Sequence, residues 1–288
     1  MGLTLAETIL SRKLNREVRA GEIVVTDVDM AIVQDGTGTL TLDGIKELKN
    51  GRYEVAHPDR CMVVLDHLGP PGRMVYANQY HKVLREFCKE TGSILEGVGE
   101  GISHIILSER YVKPGDIVVG ADSHTSTAAG MAAFATGMGS TDISVAMAVG
   151  KTWLRVPETI RFELTGSLPK GTYAKEIILH IIDTIGEDGA IYKAMEYGGD
   201  AVPQLSMDAR FTITSMAQEA GAKLGLFPAD SILKQWMGLH GRGDQWLELY
   251  ADPDANYEAV HKIDLGKLEP LISVPQTRGN VRTSDEVE

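Results

Sequence analysis

Three short apolar runs, each ending in a carboxylate or histidine and then a turn, limit this chain more than any other feature. Ile23-Val24-Val25-Thr26-Asp27-Val28-Asp29-Met30 is the first, with Gln34-Asp35 following. Met62-Val63-Val64-Leu65 is the second, closed by Asp66-His67 and the turn Gly69-Pro70-Pro71-Gly72. Ile117-Val118-Val119-Gly120-Ala121 is the third, entered through Pro114-Gly115-Asp116 and closed by Asp122-Ser123-His124. Continuous β-branched runs mark strands buried on both faces, as in parallel sheets. Between the runs lie helical patterns. Tyr76 to Thr91 places Val83, Leu84, Phe87 and Cys88 near helical spacing. Ala128 to Trp153 is small and apolar, broken by Gly137 and Gly139, with Ser140-Thr141-Asp142 placed to cap a second helix reaching Thr152. This alternation predicts an α/β fold of layered architecture with mainly parallel sheets.

A shift of composition near Val156-Pro157 suggests two adjoining lobes, 1–157 and 158–274, bounded to within about 10 residues. In the second lobe Thr159 to Gly166 reads as a strand, and Ala174 to Gly186 and Met207 to Gly225 as helices. Gly238 to Tyr257 reads as surface loop or short helix, and residues 275–288 as a linker-like tail. No apolar run approaches the roughly 20 residues that span a bilayer, and Met1 to Glu7 lacks the basic region of a signal peptide. A cytoplasmic protein without a membrane partner is expected.

A net charge of −12 argues against nucleic acid, which wants a basic surface, but leaves room for a small anionic substrate held by a local cation or helix terminus. The chain has two cysteines, Cys61 and Cys88, both isolated. They read as small buried hydrophobes rather than a disulfide, and two thiolates fall short of the usual set for a cluster. No metal ligand set is therefore expected within the chain.

Open α/β sheets bind ligands beyond the carboxyl ends of their strands. Those ends here carry Gln34-Asp35, Asp66-His67 and Asp122-Ser123-His124, and His104 follows the glycine-rich Gly97 to Ser103. An Asp beside a His orients the ring and favours its charged form, which makes it a usable acid near neutrality. A lone Asp–His pair is usually a surface feature; four polar loops converging on one crevice are what point to a site. Gly97, Gly99 and Gly101 depart from the dinucleotide fingerprint, whose third glycine would fall at Ile102. Thr125-Ser126-Thr127 reads as a helix cap, and His57, His81, His180, His240 and His261 as structural or exposed. Zinc, manganese or iron held by a spatial His/Asp cluster stays open, since such ligands suit those metals although no local spacing shows it.

Gly120-Ala121-Asp122-Ser123-His124-Thr125, followed by Ala133 to Asp142, resembles the large subunits of 3-isopropylmalate dehydratases and homoaconitases in the aconitase superfamily. Val64 to His67, Gly99 to His104, Val156 to Thr159, Leu205 to Asp208 and Glu219 to Lys223 are similar in the same order. The resemblance implies an aconitase-like layered α/β/α fold and the reversible dehydration of a hydroxy di- or tricarboxylic acid. It implies a [4Fe–4S] cluster in the complete enzyme, whose iron acts as Lewis acid. By position, Asp66-His67 would protonate the departing hydroxyl; His104, Asp122 and His124 would hydrogen-bond the water or substrate; Gln34, Ser123 and Glu219 would contact substrate. The implied partner is a small subunit carrying a swivelling domain, with its serine base and arginine. The family's Ile-Gly-Ser-Cys-Thr-Asn and Cys-x-x-Cys motifs do not occur here. The expectation is accordingly an N-terminal portion, with the cluster borne by a C-terminal piece and no activity from this portion alone. Ser215 stands where Asn is usual and Ile105 where Gln is common. Isopropylmalate, homocitrate or homoaconitate, and dimethylmalate are the implied substrates, the acid of leucine biosynthesis first. A cluster-less interaction subunit and a His/Asp metal enzyme are the rival readings.

Overall fold

The computed structural model describes residues 2–70 and 75–287; Met1, Glu288 and the Pro71-Gly72 half of the expected turn lie outside the described residues. The first part of the chain runs α1 (Leu5–Leu14), β1 (Ile23–Asp27), β2 (Met30–Gln34), α2 (Gly38–Leu48), β3 (Cys61–Val64), α3 (Val75–Thr91) and β4 (Ile94–Glu96). It continues through the single turn α4 (Ser103–Ile106), β5 (Ile117–Gly120), β6 (Phe134–Gly137), α5 (Ser140–Val149) and β7 (Lys151–Arg155). The second part holds β8 (Thr159–Thr165), α6 (Ala174–Ile185), β9 (Ala194–Gly198), α7 (Met207–Met216), β10 (Leu224–Leu226), α8 (Ser231–Leu239) and β11 (Ala259–Asp264). Strands β12 (Leu271–Ser273) and β13 (Val281–Thr283) follow.

Five parallel strands form the first sheet in the order β4-β3-β2-β5-β6. From β2 the chain builds outward to β3 and β4 on one side, then returns to β5 and β6 on the other. The strand order therefore reverses between β2 and β5, and a crevice opens beyond their carboxyl ends. Strands β2, β3 and β5 are buried along their whole length, which explains their unbroken apolar sequence. Val33, Val63 and Val119 pack one face against Leu42 of α2, Phe87 of α3 and Met147 of α5. Ile32, Met62 and Val118 pack the other face into a core that also holds Ile9 of α1, Phe211 of α7 and Leu224 of β10.

The second sheet, β10-β9-β8-β11, is parallel as well. Phe162, Tyr197 and Phe227 stack at its centre, with centroids 5.8 and 4.7 Å apart, beneath Ile177, Ile178 and Ile181 of α6. The two sheets share the core around Phe211 and Leu224, and a buried carboxylate joins them as well. Glu196 on β9 accepts from the Leu5 backbone N–H at 2.7 Å, from Arg161 at 2.6 Å and from the Tyr257 hydroxyl at 2.7 Å. Burial pushes its carboxyl up, against the opposing pull of those donors.

Several local expectations are corrected. The run Ile23 to Met30 is not one strand of the parallel sheet. Its first half alternates exposed and buried and pairs antiparallel with β7, Val25 opposite Trp153, while the parallel strand starts at Met30. The small apolar stretch after Ala128 contains a 3-10 helix, Ser123–Met131, and then β6, and α5 begins after Gly139 with no side-chain cap. The helix expected over Met207 to Gly225 stops at Met216, passes through a 3-10 turn and becomes β10. Residues 275–288 are not a linker: Val281 to Thr283 pair antiparallel with Leu271 to Ser273, and Ser284–Glu286 form a 3-10 turn. Too short for periodicity to register, these two strands are held instead by cross-strand bonds and by the Lys175 ammonium on the Leu271 carbonyl at 2.8 Å. Among the described residues no helix is long and apolar enough to cross a membrane.

Candidate active site

Every strand end that the sequence singles out in the first sheet opens into the crevice where the strand order reverses. Beyond β5, Asp122 caps the following 3-10 helix: its Oδ1 accepts the His124 backbone N–H at 2.8 Å. That bond fixes the carboxylate between two imidazoles. His67 Nε2 lies 3.3 Å from Asp122 Oδ2, and His104 Nε2 lies 3.4 Å from Asp122 Oδ1. Gln34, at the end of β2, donates from Nε2 to Asp122 Oδ2 at 3.4 Å, so the two strands flanking the reversal are bridged by side chains.

Beyond β3, Asp66 Oδ1 meets His67 Nδ1 at 2.8 Å while Asp66 Oδ2 accepts the Ser103 backbone N–H at 2.6 Å. The Asp66 carboxylate thereby ties the β3 loop to the start of α4, which carries His104. The His67 and His104 rings meet edge to face with centroids 6.0 Å apart, and His124 lies 6.1 Å from His104. Ser123 Oγ is 3.2 Å from His124 Nδ1. From the second lobe, Glu219 Oε1 reaches to 3.5 Å from His124 Nε2. All eight residues anticipated from the sequence thus lie along one connected set.

The imidazoles are driven in opposite directions. For His67, burial favours the neutral ring, but the Asp66 hydrogen bond and the charges of Asp66, Asp122 and Asp35 outweigh it and raise its pKa. For His104, burial dominates over the Asp122 charge and lowers it. Burial would likewise raise Asp66, yet its bonds to His67 and Ser103 hold it below the usual carboxylate range. The two rings are thus pushed apart, His67 toward its charged form and His104 toward its neutral one. The His104 Nδ1 atom is buried and has no hydrogen-bond partner among the described residues, so the Asp122 carboxylate beside Nε2 favours the tautomer protonated there.

Two residues were given no role in the sequence reading, although it named Asp35 as part of a polar strand end. Asp35, fully buried, accepts the backbone N–H groups of His67 and Leu68 at 3.0 Å and meets His81 Nε2 at 2.7 Å. His81, expected to be merely structural or exposed, is therefore the anchor on α3 that holds the carboxylate beneath the His67 loop. A buried aspartate at a strand end was the available signal; its partner 46 residues on was not. Asp35→Ala should leave two buried N–H groups and His81 unpaired. About 2–3 kcal/mol of unfolding free energy should be lost in urea titration, and a loss under 0.5 kcal/mol would refute this role. The second residue is Arg278, whose Nε lies 2.8 Å from Glu219 Oε2 although it belongs to the segment expected to be a tail.

The site is an open surface rather than an enclosed cavity, with His67 and His124 side chains 36% and 42% exposed. A cavity of about 470 Å³ adjoins it at Ser123, lined also by Trp153, Asp142 and Lys223. Another of about 380 Å³, around Arg161, Glu196 and Tyr257 and lined also by Leu5 of α1, shares no residue with the Asp–His set.

Comparison with known proteins agrees with this geometry. The profile of the aconitase family (aconitate hydratase) matches residues 7–287. The 3-isopropylmalate dehydratase large subunit of Elusimicrobium minutum is 48% identical over the whole of this chain and 68% of its own length. A large subunit of the same name from Thermotoga maritima is also 48% identical with the same coverage. The 2,3-dimethylmalate dehydratase large subunit of Eubacterium barkeri is 41% identical over the whole of this chain and 69% of its own length. With its strand-end motifs gathered in one crevice and nearly its full length matched, this chain belongs to the aconitase family.

Proposed function

We propose that this chain supplies the acid–base face of a hydro-lyase that removes and restores water on a hydroxy di- or tricarboxylic acid. The observation that carries the reading is the Asp66–His67–Asp122–His104 relay at the reversal of strand order. With Nδ1 held by Asp66, the protonated His67 presents Nε2–H to the departing hydroxyl. The C–O bond breaks, the oxygen leaves as water with the His67 proton, and loss of a proton from the adjacent carbon completes the double bond. In hydration His67 takes a proton from the attacking water while the base returns its proton to carbon. Neutral His104 and the carboxylate of Asp122 orient the water. The base acting on carbon is supplied by another chain, in keeping with the relatives' designation as large subunits.

The two cysteines of this chain do not fit an iron–sulfur cluster. Cys61 lies within β3 and Cys88 within α3, both in the core, and burial pushes each thiol up to about 12. Cluster thiolates for the complete enzyme come from residues beyond these, and no step above is assigned to a cluster. Branched hydroxy diacids of the isopropylmalate and dimethylmalate type are the substrates we favour, by likeness to the named relatives. In assay, the chain supplemented with the cysteine-bearing portion and small subunit of a relative should hydrate an unsaturated branched diacid, while these 288 residues alone should not. Absence of turnover with every di- or tricarboxylic acid tried would refute the reading.

A second reading has one specific observation behind it. Ligand atoms of His67, His104 and Asp122 lie within 4.8 Å of one another, close enough to surround a single cation. Yet the attraction between imidazole and carboxylate already accounts for their approach. Elemental analysis of protein purified without chelator should find less than about 0.1 equivalent of zinc or manganese; a stoichiometric metal, lost in the Asp122→Asn variant, would favour the metal enzyme instead.

A further inference from the structure

Arg278 sits on the loop between β12 and β13, outside every motif that the sequence reading used. Its guanidinium Nε pairs with Glu219 Oε2 at 2.8 Å, and Glu219 Oε1 in turn stands 3.5 Å from His124 Nε2. The loop is fastened on several sides. Gly279 donates its backbone N–H to Glu187 at 2.6 Å, Ser273 Oγ donates to the Arg278 carbonyl at 3.0 Å, and Asn280 Nδ2 donates to the Pro275 carbonyl at 3.0 Å. The Gly279–Glu187 bond ties this hairpin to the residues after α6, and the hairpin presents the exposed arginine at the rim of the site.

Charge makes the placement consequential. The crevice gathers Asp35, Asp66, Asp122 and Glu219, so a dianionic substrate approaches a strongly acidic floor. Histidines stand against all four, His81 on Asp35, His67 on Asp66, His67 and His104 on Asp122, and His124 on Glu219. Among the described residues Arg278 is the one arginine or lysine in ion-pair contact with any of these four carboxylates. Its side chain is 69% exposed, whereas Glu219 is 13% exposed. A guanidinium carries five N–H donors in a planar fork, and a contact made through Nε leaves the terminal nitrogens available to a second carboxylate. Lysine, a compact ammonium, could not hold Glu219 and a substrate carboxylate in this bidentate manner.

We infer that Arg278 binds a carboxylate of the substrate at the rim of the site, with Glu219 orienting the guanidinium. This rests on the function proposed above and adds to it the anchor for one end of the diacid. The arginine acts on binding rather than on proton transfer, so the effect belongs in KM. In the complete enzyme, R278A should raise KM for the branched diacid about 10- to 100-fold, the range of a hydrogen bond to a charged group, and change kcat less than threefold. R278K should recover only part of the loss, and the wild-type pH profile should persist in both. Dicarboxylate binding to the 288-residue chain, followed calorimetrically with the saturated diacid, should weaken in parallel. Should R278A lose its fold by circular dichroism, R278K and R278Q carry the same comparison. An active wild type whose Arg278 variants keep KM and diacid affinity would overturn this inference alone. A wild type inactive on every hydroxy di- or tricarboxylic acid would overturn the functional reading, and this inference with it.

Discussion

Asp66→Asn in the complete enzyme should reduce kcat about 10²- to 10⁴-fold, the usual contribution of a positioned general acid. The amide keeps the shape but carries no charge, and it can turn its NH2 toward His67 Nδ1, which then accepts and leaves the ring neutral. Nε2 would still carry a proton, but on a neutral imidazole, too weak an acid to give it to the departing hydroxyl. His67→Ala should fall to the same level, and the double variant should lose little more, since the two residues act as a unit.

The pH dependence follows with a definite sign. On the proposed roles, dehydration uses protonated His67, so activity should fall as pH rises through its pKa. Burial favours the neutral ring, but the Asp66 bond and surrounding carboxylates prevail and raise the pKa, extending the active range upward. Removing the Asp66 charge should bring the alkaline limb of kcat to lower pH. The same raised pKa means that His67 contributes stability fully present below its unfolded pKa and lost as pH rises through the folded one. With the ring 36% exposed that contribution is small. An alkaline limb unmoved by Asp66→Asn would refute the assignment of His67 as the acid.

The largest loss of stability should come from Asp230→Ala, far from the chemistry. Arg210 is fully buried, and its two terminal nitrogens meet the two Asp230 oxygens at 2.9 and 2.6 Å. Asp230 also caps α8, accepting from Ile232 and Leu233 backbone N–H groups at 3.1 and 3.2 Å. Alanine would strand a guanidinium left with the Val202 and Pro228 carbonyls, at 3.1 and 3.4 Å, and the Phe227 ring 5.4 Å away. Breaking a buried pair on one side costs about 3–5 kcal/mol, and the lost cap adds about 1 kcal/mol. Against typical stabilities of about 5–15 kcal/mol, that is enough to leave a large unfolded fraction. Pairing Asp230→Leu with Arg210→Met should recover most of the loss, because the cost lies in the stranded charge rather than in the missing attraction. Chemical denaturation reads both, and a single-variant loss below 1 kcal/mol would refute the account.

The strand ends were legible because burial on both faces leaves no room for polar residues until the chain emerges, so Asp66 and Asp122 mark their own positions. Strand β1 was misassigned for a related reason. Its exposed Ile23 and Val25 are as aliphatic as buried ones, and only the pairing with β7 distinguishes them. Strands β6 and β10 lie in segments of alanine, glycine and leucine, where helical and extended patterns look alike. The Asp35–His81 pair and Arg278 depend on contacts across 46 and 59 residues, and nothing in local spacing encodes those.

The core shared by the two sheets bears on how this surface works. Ile32 and Phe134 from the first sheet pack in one continuous cluster with Phe211 of α7 and with Leu224 and Leu226 of the second sheet. Neither half can rotate against the other without breaking that packing, so amide protons of β2 and β9 should exchange with solvent through one common opening event. His124 and Glu219, contributed by different halves, are therefore held at a fixed separation. On the proposed function, admission of substrate and escape of product would be timed by the partner subunit over the crevice, with this chain as the stationary jaw.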